Sequence, residues 1–129
     1  MDEISLGVPR PILDSLPADD DVAGQDMQRA VAGIEESVNR VIRETGDETA
    51  VAERVADVLE RLESQAERYD EFVPEMRAWG QSPIYAIAWR NLQLDLVGQI
   101  MEVDWLAEHL DRERNSRLVE DGIRFGKRD

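Results

Sequence analysis

Apolar residues recur along this chain at helical spacing. Met27, Val31, Ile34, Val38 and Val41 follow steps of four and three, one stripe along a helix expected over residues 21–45. Gly46 supplies a C-terminal stop and Asp47 a fresh N-cap. Val51, Val55, Val58, Leu62 and Tyr69 repeat the pattern over residues 48–72, with Gln65 in register between them. Two single-faced helices joined by so short a turn predict an antiparallel helical hairpin.

Pro74 is expected to open a short helical turn that closes at Gly80. Ser82-Pro83, an N-cap residue followed by proline at the first helical position, predicts a long third helix from residue 83 to about 118. About 36 residues at 1.5 Å each give roughly 54 Å, against roughly 38 Å for the second helix. The third helix must overhang the hairpin or bend.

Its faces carry the most information. Tyr85, Trp89, Leu92, Leu96, Ile100, Val103 and Leu110 form one apolar stripe; Ile87, Leu94, Val97, Met101 and Trp105 form a second, nearly opposite. A single hairpin cannot cover both faces. The second needs another copy of the chain, a different partner, or folded-back arms. Gly98 projects beside Leu94 and Trp105. Mid-helix glycine costs about 1 kcal/mol relative to alanine, so close approach of a crossing helix is its expected reason. Ile87, Leu94, Val97, Gly98, Met101 and Trp105 are therefore the expected interface.

The ends read as arms. Over residues 1–20, Pro9, Pro11 and Pro17 oppose helix, while Ile4, Leu6 and Val8 alternate with Ser5 and Gly7 as in an extended segment. From residue 120 the helical pattern fails at Gly122, and Ile123 and Phe125 suggest a second extended arm over 120–129. The expected fold is all-α, a three-helix bundle over residues 21–119 with extended arms at both ends. Ile4, Leu6, Val8, Ile123 and Phe125 are the expected arm contacts.

Charge narrows the setting. The 129 residues carry a net charge of −14, and Lys127 is the sole lysine beside 14 arginines. Acidic excess with few lysines suits molar salt, where a Debye length of about 3 Å leaves carboxylates hydrated but barely repelling. The balance opposes general binding to nucleic acid or anionic membranes. No segment resembles a signal peptide or a membrane span. The expected location is a high-salt cytoplasm or a particle assembled there. Residues 112–129 hold six bases against four acids, so the charge is asymmetric along the chain.

Catalytic chemistry is sparse. With no cysteine and one histidine, His109, thiol nucleophiles, Cys-based zinc sites and two-imidazole schemes drop out. His109 has Glu113 one turn on, an orienting carboxylate for a base, but no nucleophile or ligand partner accompanies it. Glu60/Glu63, Glu67/Asp70 and Glu108/Asp111 are i, i+3 pairs that could bind Mg²⁺. Helical nucleotide pyrophosphohydrolases place such pairs on successive helices, and the spacing here departs from theirs. Among 29 acids, several such pairs arise by chance on solvated faces. Arg112, Arg114 and Arg117 could contact phosphate, but glutamate is interleaved with them. Trp79, in the loop-like AWGQSP junction, is either a contact residue or a cap over the bundle end.

The expected function is non-catalytic: an assembly subunit or adaptor that oligomerises through the second stripe and docks its arms into neighbours. A ring, a shell or a virion connector would use such parts. No cofactor is expected. The alternatives are a small acidic protein that binds a basic partner and an all-α Mg²⁺-dependent nucleotide hydrolase.

Overall fold

The computed structural model describes residues 1–126, with side-chain surroundings through Glu120. It is all-α, with no strand among the described residues. Its helices are α1 (Arg10–Asp14), α2 (Asp21–Thr45), α3 (Glu48–Ala78), α4 (Ile84–Met101) and α5 (Asp104–Gly126). No described helix is long and apolar enough to cross a membrane.

The hairpin ends are set by local chemistry. The Asp20 carboxylate accepts from the Ala23 amide at 3.0 Å and opens α2; Gly46 closes it at φ 75°, where a β-carbon would be strained. The Asp47 carboxylate then accepts from the Ala50 amide at 3.0 Å and opens α3. The two helices run antiparallel: Arg54 donates to Thr45 near the turn, while Ile34 and Ser37 border a groove lined from α3 by Val58 and Leu62. Met27, Val31, Val38 and Val41 of α2 and Val51, Val55, Val58 and Leu62 of α3 are buried, as their stripes require.

Helix α3 is the centre, packed against α2, α4 and α5. Helix α4 runs antiparallel to it, since Arg90 meets Asp70 and Gln93 meets Gln65. Leu92, Leu96 and Ile100 are buried, which accounts for the first stripe. Helix α5 lies over the first half of α3, between Glu48 and Glu63.

Several expectations need correction. Helix α3 passes through Pro74 to Ala78 instead of stopping near Phe72. Pro74 forfeits a hydrogen bond, but Val73 beside it is buried, and that tertiary packing holds the next turn in place. Gly80, at φ 74°, ends the helix, with the Gln81 amide donating to the Met76 carbonyl at 2.8 Å. Ser82 is not the cap of α4: Pro83 takes that position with no side-chain bond, and its carbonyl accepts from the Ile87 amide at 2.9 Å.

The long third helix is two helices, interrupted at Glu102 and Val103. The interruption turns α5 back over α3, so that Leu106 and Leu110 are fully buried instead of overhanging the hairpin. The first arm contains α1, in which Pro11 occupies an early position that needs no amide bond. The expected extended C-terminal arm is helical up to Gly126. One interior glycine, Gly122, costs about 1 kcal/mol, too little to end a helix that Arg114 and Arg117 pin to α3. Residues 127–129, and the contacts expected of the Ile123 and Phe125 side chains, lie outside the described residues.

Candidate interaction surfaces

The N-terminal arm is seated on the chain's own body. Ile4 is buried and Leu6 and Val8 half-buried, while Ser5 and Gly7 face out, the alternation of an extended segment. Helix α2 meets it with three side chains at four-residue spacing, which share one face. Glu35 accepts from the Leu6 amide at 2.7 Å. Asn39 accepts from the Ile4 amide at 2.7 Å and donates to the Ile4 carbonyl at 3.0 Å. Arg43 pairs with Glu3 at 3.0 Å.

Helix α4 holds the other edge through Gln99. Its Oε1 accepts from the Gly7 amide at 3.1 Å, and its Nε2 donates to the Gly7 carbonyl at 2.8 Å and to Asp95 at 2.7 Å. A carboxamide carries one acceptor and one donor group at the spacing of a peptide unit. Asn39 and Gln99 therefore act as two rungs of a sheet ladder without a neighbouring strand. The burial of Asn39 makes its rung the stronger, because an unpaired polar group there would cost free energy. Neither residue was visible as a binding group in the sequence. The available signal was Asn39 set next to core-facing Val38, a polar residue where the stripe borders solvent.

The second stripe of the expected third helix is divided by the structure. Val97, Met101 and Trp105 pack half-buried against the core cluster. Ile87 is half-buried, Leu94 is 49% exposed, and Gly98 is exposed. Nothing within the chain lies within 4 Å of a β-carbon built on Gly98, so no helix of its own fold crosses closely there.

Of the acidic pairs, Glu60, Glu63 and Asp70 are held closely by arginines. Arg114 bonds both carboxylate oxygens of Glu63 at 2.7 and 2.8 Å. Arg117 bonds Glu113, Glu60, Asp57 and the Glu53 carbonyl. Its pKa lies above the ordinary arginine value, chiefly through the Glu113 hydrogen bond, with Glu60 and Asp57 adding to it. Asp70 takes Arg90 at 2.7 Å. Among the described residues no group of three or more His, Asp or Glu side chains is placed to hold a metal ion. All three arginines read as phosphate contacts thus have carboxylate partners, Arg114 and Arg117 closely and Arg112 at 3.9 Å from Glu108. His109 sits 3.6 Å from Glu48 of α3, and Glu113 faces Arg117 instead. The carboxylate facing it thus comes from another helix, at a distance too long for a hydrogen bond.

Trp79 is 79% exposed at the end of α3, which excludes the cap reading. Tyr85 donates to the Asp20 carboxylate across the α2–α4 boundary. That hydrogen bond, with the one from the Ala23 amide, holds Asp20 below the usual carboxylate range and pushes the Tyr85 phenol up.

No curated protein and no solved structure matches the chain. A family model matches residues 1–127, nearly the whole length, including the arm and every residue of its cradle. The chain belongs to the family described as "Family of unknown function (DUF7971)".

Proposed function

We propose that the chain is a non-catalytic assembly subunit or adaptor. Its body, read as a three-helix bundle of α2, α3 and α4 with α5 folded over it, presents a surface that grips an extended segment. The observation that carries this reading is the pair of bidentate contacts from Asn39 to Ile4 and from Gln99 to Gly7. They grip main chain, which every copy of the arm offers, so the cradle can take the arm of a neighbour in place of its own. Exchange of an identical element between copies is a low-cost route to association, since the hydrogen bonds given up within one chain re-form with the other.

The exposed part of the second stripe, Leu94 and Gly98, with half-buried Ile87 beside it, is the face assigned to helix packing between subunits. The remaining edges of Val97, Met101 and Trp105 extend it. The charge supports a high-salt setting, where apolar contacts strengthen relative to ionic ones. A ring, shell or virion connector remains the kind of assembly that uses such parts.

The absence of cysteine makes the test clean. A Gly7→Cys chain mixed with a Gln99→Cys chain is oxidised; neither alone can close the arm-to-cradle bridge. A covalent heterodimer well above that of a control pair, Gly7→Cys with Arg29→Cys, is expected. A bridge that forms only when both cysteines share one chain would sink the exchange reading. Leu94→Asp should weaken association while helicity is retained, and association indifferent to it would move the helix-packing face elsewhere.

A further inference from the structure

The α3 stripe does not end where α2 stops covering it. Phe72 and Trp79 are seven residues apart, two helical turns, and so share a face. Phe72 is 52% exposed and Trp79 is 79% exposed, while Tyr69 and Met76 flank them half-buried. Gln65, Arg68, Tyr69 and Phe72 border an open groove of about 320 Å³ on that face. Two charged residues frame Phe72: Arg68 four before it and Glu75 three after it, both exposed. Neither has an ion-pair partner among the described residues. The face around Phe72 holds one base and one acid, with Glu67, Asp70, Glu71 and Arg77 lying off it, so the face itself is neutral on a chain of net charge −14.

We propose that this strip pairs with the same strip of a second copy, antiparallel, about a two-fold axis beside Phe72. In a two-fold contact each residue meets its complement across the axis. An axis midway between positions 68 and 75 sets Arg68 opposite the second copy's Glu75, and Glu75 opposite its Arg68. The same axis brings the two Phe72 rings together. Sliding the pair by one heptad puts Glu75 against Glu75, so charge selects the register. Local neutrality argues against a basic partner, which an acidic, unbalanced surface would attract. The strip from Gln65 to Trp79 spans about 21 Å, a short seam that makes a concentration-dependent dimer. This contact uses neither the arm cradle nor Leu94, and it stands or falls apart from them.

Sedimentation equilibrium of the full chain, from low to about 100 µM in both 0.1 M and 2 M KCl, is the test. Phe72→Asp should raise the dissociation constant about tenfold or more, a loss of at least about 1.4 kcal/mol. Phe72 is half-exposed, so helicity and melting temperature should hold, and circular dichroism checks this. Phe72→Ser is the second variant if the first fails to fold. Arg68→Glu should weaken the dimer in 0.1 M KCl, and adding Glu75→Arg to it should restore the affinity. A chain that stays monomeric at 100 µM in both salts overturns the proposal. So does a dimer that Phe72→Asp and Phe72→Ser leave intact, or a charge exchange that fails to restore affinity. Dimers lost with Phe72→Asp but kept with Leu94→Asp and without cross-arm disulfides support this contact while failing the assembly reading.

Discussion

Asn39 shows what one buried carboxamide controls. Replacing it with leucine leaves the Ile4 amide and carbonyl facing apolar atoms. The cost is about 1–3 kcal/mol, limited by the free energy of lifting the arm away. Urea denaturation of Asn39→Leu should show that loss, and the Ile4 amide should lose protection from hydrogen exchange. Glu35→Gln keeps its acceptor for the Leu6 amide and should change stability by less than about 0.5 kcal/mol. The Asp20–Tyr85 contact has a pH signature. Asp20 titrates below its ordinary value when folded, so its contribution is present above the unfolded value and fades as pH falls through the folded one. Tyr85 titrates above its ordinary value, so its contribution is present below about 10 and is lost as pH rises further. Tyr85→Phe should therefore flatten the melting-temperature profile at both its acid and alkaline edges. An unchanged profile would show that the contact adds nothing in solution.

Glycines separate two kinds of position at the level of elements. Gly46 sits at φ 75°, where alanine is strained, and Gly46→Ala should destabilise by about 1 kcal/mol. Gly98 lies within α4 with open space around the place a β-carbon would take, and Gly98→Ala should stabilise by about 0.5–1 kcal/mol. Thermal melts of the two variants check both signs. If Gly98→Ala raises the melting temperature yet lowers association, its glycine serves an approach between chains. The hairpin was legible in sequence because its stripes, its Asp caps and Gly46 all agree. The break at Glu102 and Val103 was not, because no glycine or proline marks it. Its cause lies in what α5 achieves by folding over α3, where Leu106 and Leu110 lose all exposure. Pro74 misled in the opposite direction, since a local breaker was overruled by burial of Val73. The exposed strip around Phe72 was hidden for a related reason: a stripe read from sequence does not show where its cover ends. The arm's alternation was legible, but what holds it came from side chains on two helices that only the fold brings together.

At the scale of the molecule, charge and packing act in different solvents. A net charge of −14 on 129 residues repels itself in dilute buffer and is screened in concentrated salt. Raising KCl from 0.1 M to 2 M should lift the melting temperature, and a flat or falling profile would remove the high-salt assignment. The described helices are tied together mainly through α3, while the arm ties the start of the sequence to α2 and α4. Ile4 waits for Asn39, 35 residues on, and Gly7 for Gln99, 92 residues on. Closing a loop of that second length costs about 4 kcal/mol of chain entropy beyond a constant, so the seat must be built before the arm can settle in it. On the ribosome, the arm emerges before the helices that seat it and is thus the last of them to find its place. Through the interval its backbone amides stay solvated, and under the proposed exchange a neighbouring chain whose own arm is still undocked would offer a completed cradle.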